Sequence, residues 1–220
     1  MQIVLTPEIL LAAYAQGLFP MADSADSPYV HWYCPEMRGQ LSIADLHIPR
    51  RLKKTVRQMK IKGAAYEIKI NTDFKQVMQF CAEVTEDRKE TWINEHIIKA
   101  YCDLHAQGHA HSVECWQNGE MVGGLYGVVI GAAFFGESMF SHVSDASKVA
   151  LVHLVARLHH TGFQILDTQF TNEHLEQFGV YEVSYHDYMR QLTEAATISC
   201  SFTANDLDEE QLIKQYLEGE

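Results

Sequence analysis

Thr6-Pro7-Glu8 followed by apolar Ile9, Leu10, Ala13 and Tyr14 predicts a short capped helix that stops at Gly17. Residues 18–47 hold Pro20, Pro28 and Pro35 among small polar residues and show no long periodic run, so they predict a compact, loop-rich unit. From Ile48 the apolar residues Ile48, Leu52, Val56 and Met59 return at helical spacing, and Gly63 ends the run. Alternation resumes with a strand over Tyr66–Ile70, helices over Asp73–Val84 and Asn94–Gln107, and a strand over His109–Trp116. Asn118-Gly119 marks a two-residue hairpin into a strand at Met121–Val129, and Ala132–Phe140 reads as the next strand. A helix over Asp145–His160, a strand over Phe163–Gln169, a short helix over Asn172–Phe178, a strand near Val180–Val183 and a helix over His186–Ala196 complete the series. The order β-α-α-β-β-β-α-β-α-β-α implies an α/β fold, α+β in detail, with a mixed sheet and hairpins at its centre. The expected divisions are 1–62, a small N-terminal unit ending in a basic helix; 63–202, the main unit; and 203–220, an acidic tail that is a terminal helix or a floppy extension, with Leu207, Leu212, Ile213 and Leu217 only partly periodic.

Of the 220 residues 47% are hydrophobic and 21% charged, an ordinary globular balance that excludes a disordered or fibrous chain. The formal charge of −12 does not advertise nucleic-acid binding as an average. Its distribution does. Arg50, Arg51, Lys53, Lys54, Arg57, Lys60 and Lys62 place seven of the 17 basic residues within 13 positions, with Arg50, Lys53, Arg57 and Lys60 at helical spacing. Five cysteines, never in a C-x-x-C pair, suit a reducing compartment, the cytoplasm, and no structural zinc. The start, Met1 to Glu8, lacks a basic region ahead of an apolar core, so no secretory leader is expected. The longest uncharged stretch, Met121–Gly136, has 16 residues and five glycines, short of the roughly 20 needed to span a bilayer.

Strand alternation puts Asp167 and Gln169 on one face of Ile165-Leu-Asp-Thr-Gln169. Both could satisfy buried backbone at a strand end; as chemistry, the carboxylate could polarise the amide toward an attacking amine. Glu137 falls on the apolar run Phe134–Phe140, where a charged carboxylate is costly unless paired, so a buried salt bridge is the plain alternative. Ser138 is no hydrolase nucleophile, because G-x-S-x-G needs glycine where Phe140 stands. His105, His109 and His111 lack a companion carboxylate or H-E-x-x-H and read as packed or surface residues, with no metal site. Gly123-Gly124-Leu-Tyr-Gly127 is not followed by a helix, so it is neither a dinucleotide nor a phosphate loop. Trp92, Tyr101, Leu125, Phe134 and Met139 could be core alone.

Taken together, Tyr14–Pro20, Thr91-Trp-Ile93, Gly108–Ser112, Gly123–Gly127, Phe135–Ser141, Ala146-Ser-Lys148 and Asp167-Thr-Gln169 resemble, in order, the motif series of the leucyl/phenylalanyl-tRNA–protein transferase family. The resemblance implies an aminoacyltransferase that moves Leu or Phe, also Met, from aminoacyl-tRNA to the N-terminal amine of proteins beginning with Lys or Arg, marking them for bacterial proteolysis (N-end rule). It also implies a GNAT-like, acetyltransferase-related fold for the larger unit, a monomer, and no metal, nucleoside triphosphate or coenzyme. Carried over, Asp167 and Gln169 match the catalytic pair and Glu137 the acidic residue beside the donor ester. Trp92, Tyr101, Leu125 and Phe134 fall on positions lining the side-chain pocket or the terminal adenosine site. Met21 stands where many members have Trp and Leu125 where many have Met, so Met21 joins the substrate-binding set. The basic stretch is then expected to hold tRNA phosphates without base readout. An acetyl-CoA-dependent N-acetyltransferase would share the fold but lacks its pyrophosphate loop before Asp145; a non-catalytic RNA-binding adaptor would have no use for Asp167 with Gln169.

Overall fold

The computed structural model describes residues 5–27, 29–84, 89–204 and 208–219. Residues 1–4 of the start, Pro28 and Leu207 lie outside them. Helix α1 (Pro7–Tyr14) opens as its sequence requires: Pro7 sits in the first turn and the Thr6 hydroxyl accepts the Ile9 N–H.

The stretch expected to be loop-rich contains three short strands. Strands β1 (Phe19–Ala22) and β2 (Val30–Tyr33) form an antiparallel hairpin, and β3 (Met37–Leu41) enters the main sheet. Four or five residues broken by prolines carry too few positions to show alternation, and β3 buries Arg38, Gly39 and Gln40. Helix α2 (Arg50–Gln58) is also shorter than its spacing predicts. Met59 adopts a left-handed φ of 50° and closes it, so Lys60 lies in β4 (Lys60–Ile61) and Lys62 in the turn to β5 (Ala64–Ala65).

The main sheet has seven strands among the described residues, in the order β11-β3-β10-β9-β8-β7-β6. Strands β6 (Glu67–Ile70), β7 (Ala110–Gln117), β8 (Glu120–Ile130) and β9 (Ala133–Ser141) run antiparallel, and Asn118 and Gly119 take φ of 53° and 84°, as a type I′ hairpin demands. Helix α5 (Ala146–His160) then carries the chain to β10 (Ile165–Gln169), which is parallel to β9. Strand β3 runs antiparallel to β10, and β11 (Tyr181–Ser184) antiparallel to β3. This is the expected mixed sheet, and the meander followed by a parallel crossover is compatible with the GNAT-like expectation.

Helices cover both faces. Apolar residues of α2, α5 and α8 (Glu209–Glu218) make one core, and those of α1, α3 (Phe74–Ala82), α4 (Glu95–Ala106) and α7 (Tyr185–Ala195) make the other. The acidic tail is therefore helical in part: Leu212, Ile213 and Leu217 are buried with α5, and Tyr216 donates to the Ile43 carbonyl at 3.0 Å. Residue 62, where the N-terminal unit was expected to end, falls inside the β4–β5 hairpin; β3 and α2, which precede it, pack into the layers of the main sheet. Helix α5 lies very close to β8, since a Cβ on Gly123 would come within 2.5 Å of that of Ala146.

Candidate active site

Strands β9 and β10 pair in register as far as Phe135 and Asp167, and there the pairing ends. Two residues further along each strand stand Glu137 and Gln169, and their side chains meet: Gln169 Nε2 donates to Glu137 Oε1 at 2.7 Å. Gln169 is bent into place by a bulge. The pairing of β10 with β3 shifts between Asp167 and Gln169, and Gln169 has a left-handed φ of 65°. Gly39 makes room on β3, where a Cβ would sit 2.7 Å from Thr168 Oγ1 and 2.8 Å from the Phe170 backbone. Strained backbone of this kind concentrates where function holds it.

Asp167 does not touch the amide side chain of Gln169. Its Oδ1 accepts the Gln169 backbone N–H at 2.7 Å, and the rest of the carboxylate is taken by other donors. Arg38 Nε lies 3.0 Å from each oxygen, Arg38 NH2 2.7 Å from Oδ2, and the Tyr188 hydroxyl 2.6 Å from Oδ2. Both partners are buried, Arg38 at 1% exposure and Asp167 at 0%. The carboxylate hydrogen-bonded to the Gln169 amide side chain is therefore Glu137, while Asp167, expected beside that amide, holds the Gln169 backbone instead.

Glu137 is half-buried and collects further donors. Tyr14 of α1 donates to its Oε1 at 2.5 Å and Tyr101 of α4 to its Oε2 at 3.3 Å, while the two phenols also hydrogen-bond to each other. Burial pushes the Glu137 carboxyl up to about 7; Asp167 adds to the rise, while the Tyr14 donor and the Arg38 charge oppose it. Burial and the neighbouring Glu137 hold both phenols well above the usual tyrosine range, so they stay protonated donors. An ionised carboxylate only accepts, so Gln169 must present its NH2 there, which leaves its carbonyl oxygen for an incoming N–H.

Glu137 lies on the wall of a cavity of about 810 Å³ to which Leu125, Met139, Leu151, Leu154 and Leu166 give apolar surface, and Glu83, Ser138, His142, Thr168, Asn172 and Glu173 polar groups. That volume falls in the roughly 300–1,000 Å³ usual for small-ligand sites. Of the expected substrate-binding residues, Leu125 lines this cavity and Tyr101 reaches it through Glu137. Phe134 is wholly buried and stacked on Phe202 with centroids 5.4 Å apart. Met21 and Trp92 are half-buried against the core on the α1 side, off the cavity wall, where the Ala22 N–H donates to the Trp92 carbonyl at 3.4 Å.

Five of the expected tRNA-contacting residues, Arg50, Arg51, Lys53, Lys54 and Arg57, sit on α2, and a shallow depression of about 370 Å³ is lined by four of them. Exposed Lys60 and Lys62 extend the surface beyond the helix. Arg51 pairs with Asp145 at 3.4 Å, two residues before Ser147 on the cavity wall, so the basic surface adjoins the cavity rim. His105 and His111 are packed: His111 stacks on Phe202 and burial lowers it to about 4, while His105 stacks on Phe74 and bonds the Ala110 carbonyl at 2.7 Å. Among the described residues no three His, Cys, Asp or Glu side chains gather as a metal site would need, and no helix is long and apolar enough to cross a membrane.

Arg38, Tyr14 and Tyr188 escaped the sequence reading as site residues. Tyr14 fits the apolar stripe of its helix, and Arg38 lies among prolines 129 positions from its partner.

The family profile described as "Leucyl/phenylalanyl-tRNA protein transferase" matches residues 40–193, and that of its N-terminal domain matches residues 4–36. The chain belongs to this family. It is 52% identical over 201 residues to the leucyl/phenylalanyl-tRNA–protein transferase of Paramagnetospirillum magneticum, covering 91% of this chain and 94% of the relative. The Maricaulis maris protein of the same name is 52% identical over 197 residues (90% and 89%), and that of Rhodopseudomonas palustris 48% over 205 (93% and 89%). The family is one of aminoacyltransferases, and the chain is such an enzyme.

Proposed function

We propose that the enzyme transfers Leu or Phe, and also Met, from aminoacyl-tRNA to the N-terminal α-amine of proteins that begin with Lys or Arg, marking them for degradation in the cytoplasm. The observation that carries this reading is the contact between Gln169, itself buried, and Glu137 on the wall of the cavity: a carboxyl raised to about 7, bonded to an amide whose carbonyl is left for an amine.

An aminoacyl ester is already activated, so the protein mainly brings two substrates together, which supplies at most about 7–11 kcal/mol. The side chain of the amino acid enters the leucine-lined cavity, where each methylene is worth about 1–3 kcal/mol of discrimination, so Leu, Phe and Met are retained over Ala. The Gln169 carbonyl accepts an N–H of the acceptor amine and aims its lone pair at the ester carbon. A neutral amide is too weak a base to keep the proton. Glu137, with a carboxyl that titrates near the working pH, takes it as the N–C bond forms and returns it to the ribose oxygen as the C–O bond breaks. The acceptor amine has a reference pKa of about 7.7–8.0, so a fair fraction is already neutral. Phosphates of the acceptor stem rest on α2.

The test is purified enzyme with labelled Leu-tRNA and an Arg-initiated peptide, beside a parallel reaction with labelled acetyl-CoA. Leucylated peptide is expected. No label on the peptide, or label from acetyl-CoA alone, would overturn the reading.

A further inference from the structure

A buried guanidinium is costly unless its donors and faces are all used. Those of Arg38 are. Nε and NH2 fork onto Asp167, NH1 donates to the Gly17 carbonyl at 2.8 Å, and the guanidinium carbon lies over the rings of Phe19 and Tyr188, 4.7 Å and 4.8 Å from their centroids. Gly17 belongs to the turn that closes α1: its N–H bonds the Tyr14 carbonyl at 2.9 Å, and the Leu18 N–H bonds that of Ala13 at 2.9 Å. One cation thus touches both the turn that sets Tyr14 and the carboxylate that sets the Gln169 backbone. Asp167 has no exposed surface, and its two oxygens are taken by Arg38, Tyr188 and the Gln169 N–H, so it has no route to a substrate proton.

We propose that Arg38 is a positioning residue for transfer, a clamp that joins the end of α1 to the bulge of β10 so that Tyr14 and Gln169 meet on Glu137. The proposal rests on the reading that Glu137 and Gln169 carry the reaction. Its geometry asks for a fork and a third donor pointing elsewhere, which lysine, a single point of charge, does not supply. Asp167 then serves as a fixed anion and not as a base. The bulge gains its strained φ at Gln169 from this clamp, because the Gln169 N–H is held by the oxygen that Arg38 holds.

Arg38→Lys, which keeps the charge, tests this. Misplacement by about 1 Å costs on the order of 10²-fold in rate, so kcat is expected to fall about 10- to 100-fold while KM for aminoacyl-tRNA and for peptide stays within about threefold. Hydrogen exchange at the Gln169 amide should quicken at least about tenfold, with the β7–β8 hairpin unchanged. Should the lysine variant not fold, Arg38→Met combined with Asp167→Asn leaves no unpaired buried charge, and the same loss of rate and of Gln169 protection is expected there. A wild-type kcat, a loss confined to KM, or an unaltered Gln169 amide overturns the proposal. The exchange measurement needs no transfer, so a wild-type enzyme that fails to leucylate peptide would remove the proposed function while the clamp is still tested.

Discussion

Glu137 stands where three donors converge, from α1, from α4 and from β10, and its raised carboxyl has a consequence for stability. Its folded value, about 7, lies above the ordinary 4.5, so the fold binds this proton more tightly than the unfolded chain does. Stability from this group is complete below the ordinary value and is lost as pH rises toward 7. Glu137→Gln removes that loss. Melts of the two proteins between pH about 5 and 8 should converge at the acid end and separate at neutral pH, the variant being the more stable; parallel curves would contradict the assignment. This residue was legible from its apolar neighbours Phe134, Phe135 and Phe140. Gln169 and Tyr101 were also named as site residues, but their meeting on Glu137, together with Tyr14, was not legible, because they approach from elements whose packing no local pattern records.

Helix α2 carries Arg50, Arg51, Lys54 and Arg57 on exposed positions and Lys53 half-buried, while Leu52 and Val56 face the core, so the exposed charges can be altered without disturbing the fold. Arg51→Glu with Lys54→Glu should weaken aminoacyl-tRNA binding and flatten its salt dependence, by about 0.7–0.9 in log–log slope for each phosphate that is no longer neutralised. A filter-binding series with an unchanged slope would contradict the expectation. A second element-scale test is Gly123: alanine there meets Ala146 of α5 at 2.5 Å and should cost about 1–3 kcal/mol in denaturant unfolding, whereas full stability would show that α5 can move off β8. The long elements were legible for the usual reason. Periodicity in α4, α5, β7 and β8 extends over enough residues to declare itself. Strands β1, β2 and β3 were hidden because each is short, and β3 buries polar residues that pair only across the sheet.

Across the whole molecule, the two cores meet at the sheet, and the candidate active site lies where β9 and β10 part. The C-terminal helix belongs to this architecture although the family match ends at residue 193. Glu209 pairs with Arg157, which is buried at 4% exposure, and faces His153 at 3.6 Å. Removing residues 205–220 strips a buried arginine of its counter-ion and uncovers the α5 face. We expect a loss of at least about 3–5 kcal/mol, read as a lower melting temperature, and an intact melting curve would show that α8 is dispensable. Partial periodicity in the tail hinted at this helix; its docking depends on Arg157, which the sequence alone places only as one more residue of α5.

The proposed transfer turns on Glu137 and Gln169 acting together on a bound ester. Single-turnover transfer of labelled Leu from tRNA to an Arg-initiated peptide, by the wild type, Glu137→Gln and Gln169→Ala, measures this directly. Each variant is predicted to be slower by about 10²-fold or more, with aminoacyl-tRNA affinity within about threefold of wild type. A wild-type rate in either variant, or a loss that follows affinity alone, would contradict it.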